Sequence, residues 1–439
     1  MNGTQGAAPD AARALTMLPN SLALIGSKTA TMGLGFVFWV IAARLFEPAE
    51  VGLAAAIVAA MMLCTQIALV GLGSAVIALL PRELPRPDAL LDCAFTLAGA
   101  LALATGLGFV AIAAVTLGEL QVVGGSALYA LLFVAATVTG TLGILLDQLS
   151  TSLRRGDQVL IRGIAFGLAA VVSLVLAAKL GGGGSAALLA PWVVAGGLAV
   201  AIGVVQTRRA LGGYLPRAAM SGARTRRLLA TGVRNYGLTL AERAPGLLLP
   251  VVVTELLSPQ TNAAWYAAWM MAWVVFIVPI QVGMTLFAEV AREPASLPAA
   301  TRHAVRTALL VGVPVAAGLA LAAQPALALL GHEYAARGAA PLRILLIGLL
   351  PLIFVQAYYA SCRGTGRLRE AIAAAWITAV GSVGAAALAA SQAGLEAMAV
   401  AWVLVQAAAA AFAAMRLRVI RLRHEHAVHP GALPRLAPG

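Results

Sequence analysis

The sequence predicts an all-α polytopic membrane protein with about twelve transmembrane helices in two six-helix halves. Three observations lead there. The chain of 439 residues is 61% hydrophobic and 11% charged, with mean hydropathy +0.92, whereas soluble chains are about 45–50% apolar and about 25% charged. Twelve stretches approach or exceed the roughly 20 apolar residues that a helix needs to cross a bilayer. The basic residues also fall into alternate connectors, as they do when spans are counted correctly.

In order, the stretches are 20–45, 49–80, 89–116, 125–153, 158–180, 185–207, 231–257, 262–288, 303–330, 341–362, 370–390 and 395–415. The first apolar run, from about Leu18 to Phe46, is too long for the about 7–15 residue core of a cleavable signal. The fifth and sixth are joined by "GGGGS" at 181–185, an external turn. The longest external connector is read from Gly331 to Ala340. Pro245, Pro250, Pro279, Pro314 and Pro351 fall within helices, where each frees a backbone carbonyl and permits a kink. Cys64, Cys93 and Cys362 lie far apart in or beside apolar segments, with no metal spacing, and read as small buried hydrophobes.

Counting residues near a segment end with the adjoining connector, 24 of the 30 basic residues fall on one side of this layout, four on the other, and two, Lys28 and Arg243, lie well inside segments. The positive-inside rule then puts both termini in the cytoplasm of a multi-pass plasma (inner) membrane protein. Topology accounts for the net charge of +13, and no nucleic-acid partner is expected. The arginine-rich joint divides the chain into a bundle at 1–207, a basic cytoplasmic linker at 208–230, a second bundle at 231–416 and a basic cytoplasmic tail at 417–439. Both halves start inside, so a repeat would be parallel. Its traces are "ARLFEPAEVGLAAA" against "TELLSPQTNAAWYAA", which match Pro48 with Pro259, and Gly26 with Gly237.

The run "GSKTATMGLGFVFWVIAARLFEPAEVGLAAA" followed by "GLGSAVIALLPR" resembles the opening helices of Wzx-type polysaccharide flippases. These form a branch of the multidrug/oligosaccharidyl-lipid/polysaccharide exporter superfamily. "LLGHEYAARGAAPLRILLIGLLP" and "ASCRGTGRLREAIAAAW" resemble a later region of the same proteins. The resemblance implies two six-helix bundles around a central cavity, working by alternating access. It also implies a polyprenyl-diphosphate-linked oligosaccharide, carried across the plasma membrane for cell-surface polysaccharide synthesis. The implied partners are membrane lipid, that lipid-linked oligosaccharide and polysaccharide-assembly enzymes.

Charge inside a span marks a candidate site. In "LTLAERAPGLLLP", Arg243 lies about 18 Å from the start of its stretch at 1.5 Å per residue, next to Glu242. Lining a cavity, Arg243 would meet the substrate diphosphate, with Glu242 positioning it or taking a coupling cation; otherwise the pair belongs to an interhelical ion network. Lys28 carries charge into the first helix or snorkels to the interface. Arg234 anchors the interface or guides an anionic headgroup. Asp147 is a candidate for cation coupling or for structural pairing, and Gln66, Gln281 and Gln356 bridge helices. Trp265, Trp269 and Trp273 share one helical face, where they would stack on sugar rings or form an aromatic belt.

No cofactor or metal is expected. "RLRHEHAVH", with His424, His426 and His429, reads as a basic tail on anionic lipid. "IGSKT" lacks the upstream glycine of a phosphate-binding loop. Other readings remain open: a cation-coupled small-molecule or drug exporter of the same superfamily, a membrane polymerase or ligase of polysaccharide assembly, and a scaffold. The short external connectors weigh against an enzyme, and the intramembrane charges against a scaffold.

Overall fold

A computed structural model describes residues 30–84 and 87–428, with the side chains of 234, 235 and 421–428 outside the description. Lys28 and His429 lie outside the described residues, as do the side chains of Arg234, His424 and His426. Among the described residues every regular element is helical.

Among the described residues nine helices are long and apolar enough to cross a membrane, and a tenth span is a bent helix pair. One of the nine, Leu368–Ile420, has 53 residues. At 1.5 Å per residue that is more than twice the roughly 30 Å hydrocarbon core. It breaks at Gly394, whose φ of 78° is left-handed, into two spans. The apolar helix Ala30–Leu45 begins where the description begins and supplies the twelfth.

The chain divides into two compact units. The first comprises Met1–Leu240 with Ser258–Gln260, and the second Ala241–Leu257 with Thr261–Gly439. In the first unit, α1 (Ala30–Leu45) precedes α2 (Pro48–Leu69) and α3 (Leu72–Glu83). Then come α4 (Asp88–Thr116), the short α5 (Val122–Gly125), α6 (Ala127–Ser152), α7 (Gly156–Lys179) and α8 (Ser185–Ala210). Pro48 opens α2, where its missing N–H costs nothing. The Glu50 carboxylate accepts from the Glu47 amide at 3.3 Å and from the Gly184 amide, in the turn between α7 and α8, at 2.7 Å. The alanines of α2, Ala54, Ala55, Ala56, Ala59 and Ala60, are buried against α4, α6 and α8. Small side chains let those helices approach closely where no hydrophobic effect draws helices together.

The stretch expected as one helix over 49–80 breaks between α2 and α3. Val70 and Gly71 both have positive φ, 40° and 79°. The break meets α9 (Gly222–Leu256) backbone to backbone: a methyl group on Gly71 or on Gly232 would overlap the other's carbonyl. The joint expected as a 208–230 linker is therefore helical from Gly222 onward. Its preceding strap is pinned to α4. Asp92 accepts from the Tyr214 hydroxyl at 2.8 Å and the Arg217 amide at 2.9 Å, and the Thr96 hydroxyl accepts from the Ala219 amide at 3.0 Å. Burial, and next the Asp92 carboxylate, raise the Tyr214 phenol above its ordinary range.

The second unit continues α9 and adds α10 (Pro259–Arg292), α11 (Leu297–Leu321), α12 (Ala323–Ala328), α13 (His332–Ile347), α14 (Leu349–Gly364) and α15 (Leu368–Val428). The Gly331–Ala340 connector proves to be mostly the first half of α13, alanine-rich with Glu333 in its first turn. α13 and α14 meet at a 43° bend. Pro351 explains it, since its ring crowds the carbonyl four residues earlier, that of Ile347. The three cysteines are free and buried.

Candidate functional site

α9 changes character along its length. From Gly222 to Asn235 it carries Arg224, Arg226, Arg227 and Arg234 and no acidic residue. The stretch apolar enough to cross a membrane is Tyr236–Leu256. Arg243 therefore lies only about 10 Å into the apolar stretch at 1.5 Å per residue, shallower than the sequence placed it. The arginines before Tyr236 keep that part of the helix in water or headgroups. Pro245 and Pro250, inside α9, deprive the carbonyls of Ala241 and Gly246 of their helical donors. Freed carbonyls within a span are tolerated where other groups or water satisfy them.

In this segment the Glu242 carboxylate accepts from Arg363 Nη2 at 3.0 Å and from Gln356 Nε2 at 3.0 Å. The Glu242 and Arg363 side chains are 21% and 22% exposed, so the pair is shielded but not sealed. Arg243 acts on the same carboxylate through its charge, and its side chain is exposed. The group thus brings Glu242, Arg363 and Gln356 together, with Arg243 beside them. A second cluster in the same unit joins two guanidiniums to one carboxylate: Glu370 accepts from Arg367 Nε at 3.0 Å, Arg416 Nε at 2.7 Å and the Tyr358 hydroxyl at 2.9 Å.

The sequence picked out Glu242 and Arg243 but placed Arg363 in a connector. Arg363 instead occupies the last turn of α14, seven residues after Gln356. That spacing is two helical turns and puts both on one face, which was the available signal.

Asp147 has a similar history. It pairs with Arg162, Nη2 to Oδ1, at 2.6 Å, with Nε at 3.0 Å from the same oxygen. Arg162, counted with the connector after the fourth stretch although it falls just inside the fifth, lies within α7 and is 3% exposed. It also donates to the Gln206 amide oxygen and to Ser150 Oγ, the latter at 3.1 Å, and Ser150 bonds Gln158 at 3.0 Å. Gln158 and Arg162 stand one turn apart, again on one face. Ser150 and Gln158 are buried, so the network is a polar core that joins α6, α7 and α8.

Trp265 and Trp269 are 0% and 8% exposed. They stack on each other at 5.8 Å, and Trp269 meets Trp402 edge-on at 5.3 Å. Phe276 stacks on Trp402 at 5.6 Å. The two indoles form an aromatic core of the second unit, and contact with sugar would require that core to open. Trp273 is half-buried and Gln281 exposed. Gln66 accepts from the Tyr236 hydroxyl at 3.1 Å through its side chain.

The chain belongs to the polysaccharide biosynthesis protein family, whose sequence profile matches residues 41–337. No curated protein matches the sequence. The fold is that of the MOP transporter superfamily. A multidrug resistance MATE-family transporter of that superfamily, inward-facing, is similar with TM-score 0.63 and 17% identity, over 89% of this chain and 95% of that one. The lipid II flippase MurJ, inward closed, has TM-score 0.69 at 12% identity, over 93% of this chain and 91% of that one. A MOP superfamily transporter from Pyrococcus furiosus has TM-score 0.64 at 15% identity, over 94% and 96%.

Proposed function

We propose that this protein is a non-enzymatic transporter that flips a polyprenyl-diphosphate-linked oligosaccharide across the plasma membrane by alternating access. The observation that carries the reading is the placement of two guanidiniums, Arg243 and Arg363, beside Glu242 in the apolar stretch of α9. A guanidinium presents a planar fork of donors that suits phosphate oxygens. Arg243 is assigned to the diphosphate, and Glu242 holds Arg363 while the site is empty. Lys28 and Arg234 are assigned to the path along which the headgroup arrives. The family membership supports a role in polysaccharide assembly. The fold shared with a lipid II flippase supports lipid-linked cargo. The positive-inside pattern supports cytoplasmic termini.

Guanidiniums with their donor forks suit an anionic headgroup better than the organic cations that a drug exporter would carry. Depletion of the protein tests the reading. The isoprenyl-diphosphate-linked glycan should accumulate on the cytoplasmic leaflet with its sugar chain complete. Accumulation of unextended glycan on the outer leaflet would instead indicate a polymerase or ligase.

A further inference from the structure

Residues 208–235 hold seven arginines and no acidic residue. Arg208, Arg209, Arg217, Arg224, Arg226 and Arg227 are all exposed. Arg227 pairs with Glu83. Among the described residues no carboxylate lies within ion-pair distance of Arg224 or Arg226. Beside Arg226 is a cavity of about 590 Å³, lined by Met220, Gly222, Thr225, Arg226, Leu229 and Ala230. Its wall is one face of α9 before the apolar span, joined by Met220, which is 60% exposed. A second cavity nearby, of about 690 Å³, is lined by Arg224 but also by Asp88, so it suits an anion less well.

The first cavity combines a cationic rim with apolar walls. That pairing fits an amphiphile with a phosphate at one end and hydrocarbon at the other. We infer that it binds one anionic phospholipid of the cytoplasmic leaflet, with the phosphate on Arg226 and Thr225 and an acyl chain along Met220 and Leu229. The site is preformed. Asp92 and Thr96 hold the strap that places Met220, and Thr225 Oγ1 lies 3.4 Å from Cys93 Sγ on α4. Preorganisation lowers the ordering cost of binding. It also lets the lipid brace the part of α9 that leads into the Glu242 segment. The inference rests on the membrane class of the protein and not on its cargo.

The test uses the full chain in phosphatidylcholine nanodiscs with a trace of photoreactive phosphatidylglycerol, and maps the crosslinks by peptide. The adducts should concentrate on residues 220–230. Arg226→Gln should cut them about fivefold, the effect of one arginine near an anionic surface, and Arg226→Lys should retain most of them. Arg208→Gln, also exposed but outside the cavity, should leave them unchanged. Each of these residues is exposed, so the variants should elute like wild type on gel filtration, which checks that they fold. Equal labelling by a photoreactive phosphatidylcholine would overturn the inference, as would equal losses in the Arg226 and Arg208 variants. Displacement of the probe by an isoprenyl phosphate, but not by unlabelled phosphatidylglycerol, would also overturn it and make the cavity a cargo site.

Discussion

The carboxylate of Glu242 takes the guanidinium of Arg363, 121 positions further along the chain, at 3.0 Å. That bond ties the start of the apolar part of α9 to the last turn of α14 within the second unit. Glu242→Gln should leave Arg363 without its counter-ion in a partly shielded place. The expected loss of stability is about 1–2 kcal/mol, below that of a fully buried pair. Thermal unfolding of Glu242→Gln, Arg363→Gln and the double variant would measure it. The double variant should be more stable than the sum of the two losses predicts. Strict additivity would mean that the two side chains do not interact.

Arg162 is the more deeply buried cation. Arg162→Gln should cost about 1–2 kcal/mol, because Asp147, whose side chain is 40% exposed, loses its partner and Ser150 loses a donor. Asp147→Leu with Arg162→Met should recover most of that loss, since apolar pairs replace buried ion pairs at little cost. Melting temperatures read both. If the double variant were as unstable as Arg162→Gln, the network would hold more than the ion pair.

The contact between Gly71 and Gly232 predicts a sharp contrast among glycines. Gly71→Ala adds a methyl group at a left-handed φ of 79° and against the backbone of Gly232. It should lose about 2 kcal/mol or more and reduce the amount of protein in the membrane. Gly143→Ala meets nothing within 4 Å and should be neutral or slightly stabilising in its helix. Membrane yield and melting temperature of the two variants decide the point.

Topology predicts a labelling pattern. The native cysteines are buried, so the background is low. An impermeant thiol reagent applied to intact cells should label Gly183→Cys and spare Met220→Cys. The reverse pattern would invert the orientation.

Composition and periodicity made the helical class and the span count legible, because crossing a bilayer imposes a length and a polarity on each segment. They missed the break at Val70 and Gly71, because a two-residue excursion to positive φ leaves the apolar pattern intact. They also took the start of α13 for a loop, since its polar residues His332, Glu333 and Arg337 resemble a connector. In the candidate site, Glu242, Arg243 and Asp147 stood out as charges in apolar runs. Their partners Arg363 and Arg162 did not, because each lies near a helix end, where an arginine reads as an interfacial anchor. Tertiary pairing drew both into the bundles, and a single sequence carries no record of which distant residue a charge will meet.

The central claim is that Arg243 binds the diphosphate of a lipid-linked oligosaccharide, and transport in proteoliposomes tests it most directly. Wild type should move an isoprenyl-diphosphate-linked oligosaccharide to the opposite leaflet. Arg243→Lys keeps the charge but loses the planar fork. It should reconstitute and melt like wild type while transporting at least about tenfold more slowly, a loss that corresponds to roughly 1.4 kcal/mol. Wild-type rates in both Arg243→Lys and Arg243→Gln, with normal incorporation, would contradict the claim and leave the Glu242 group a structural feature.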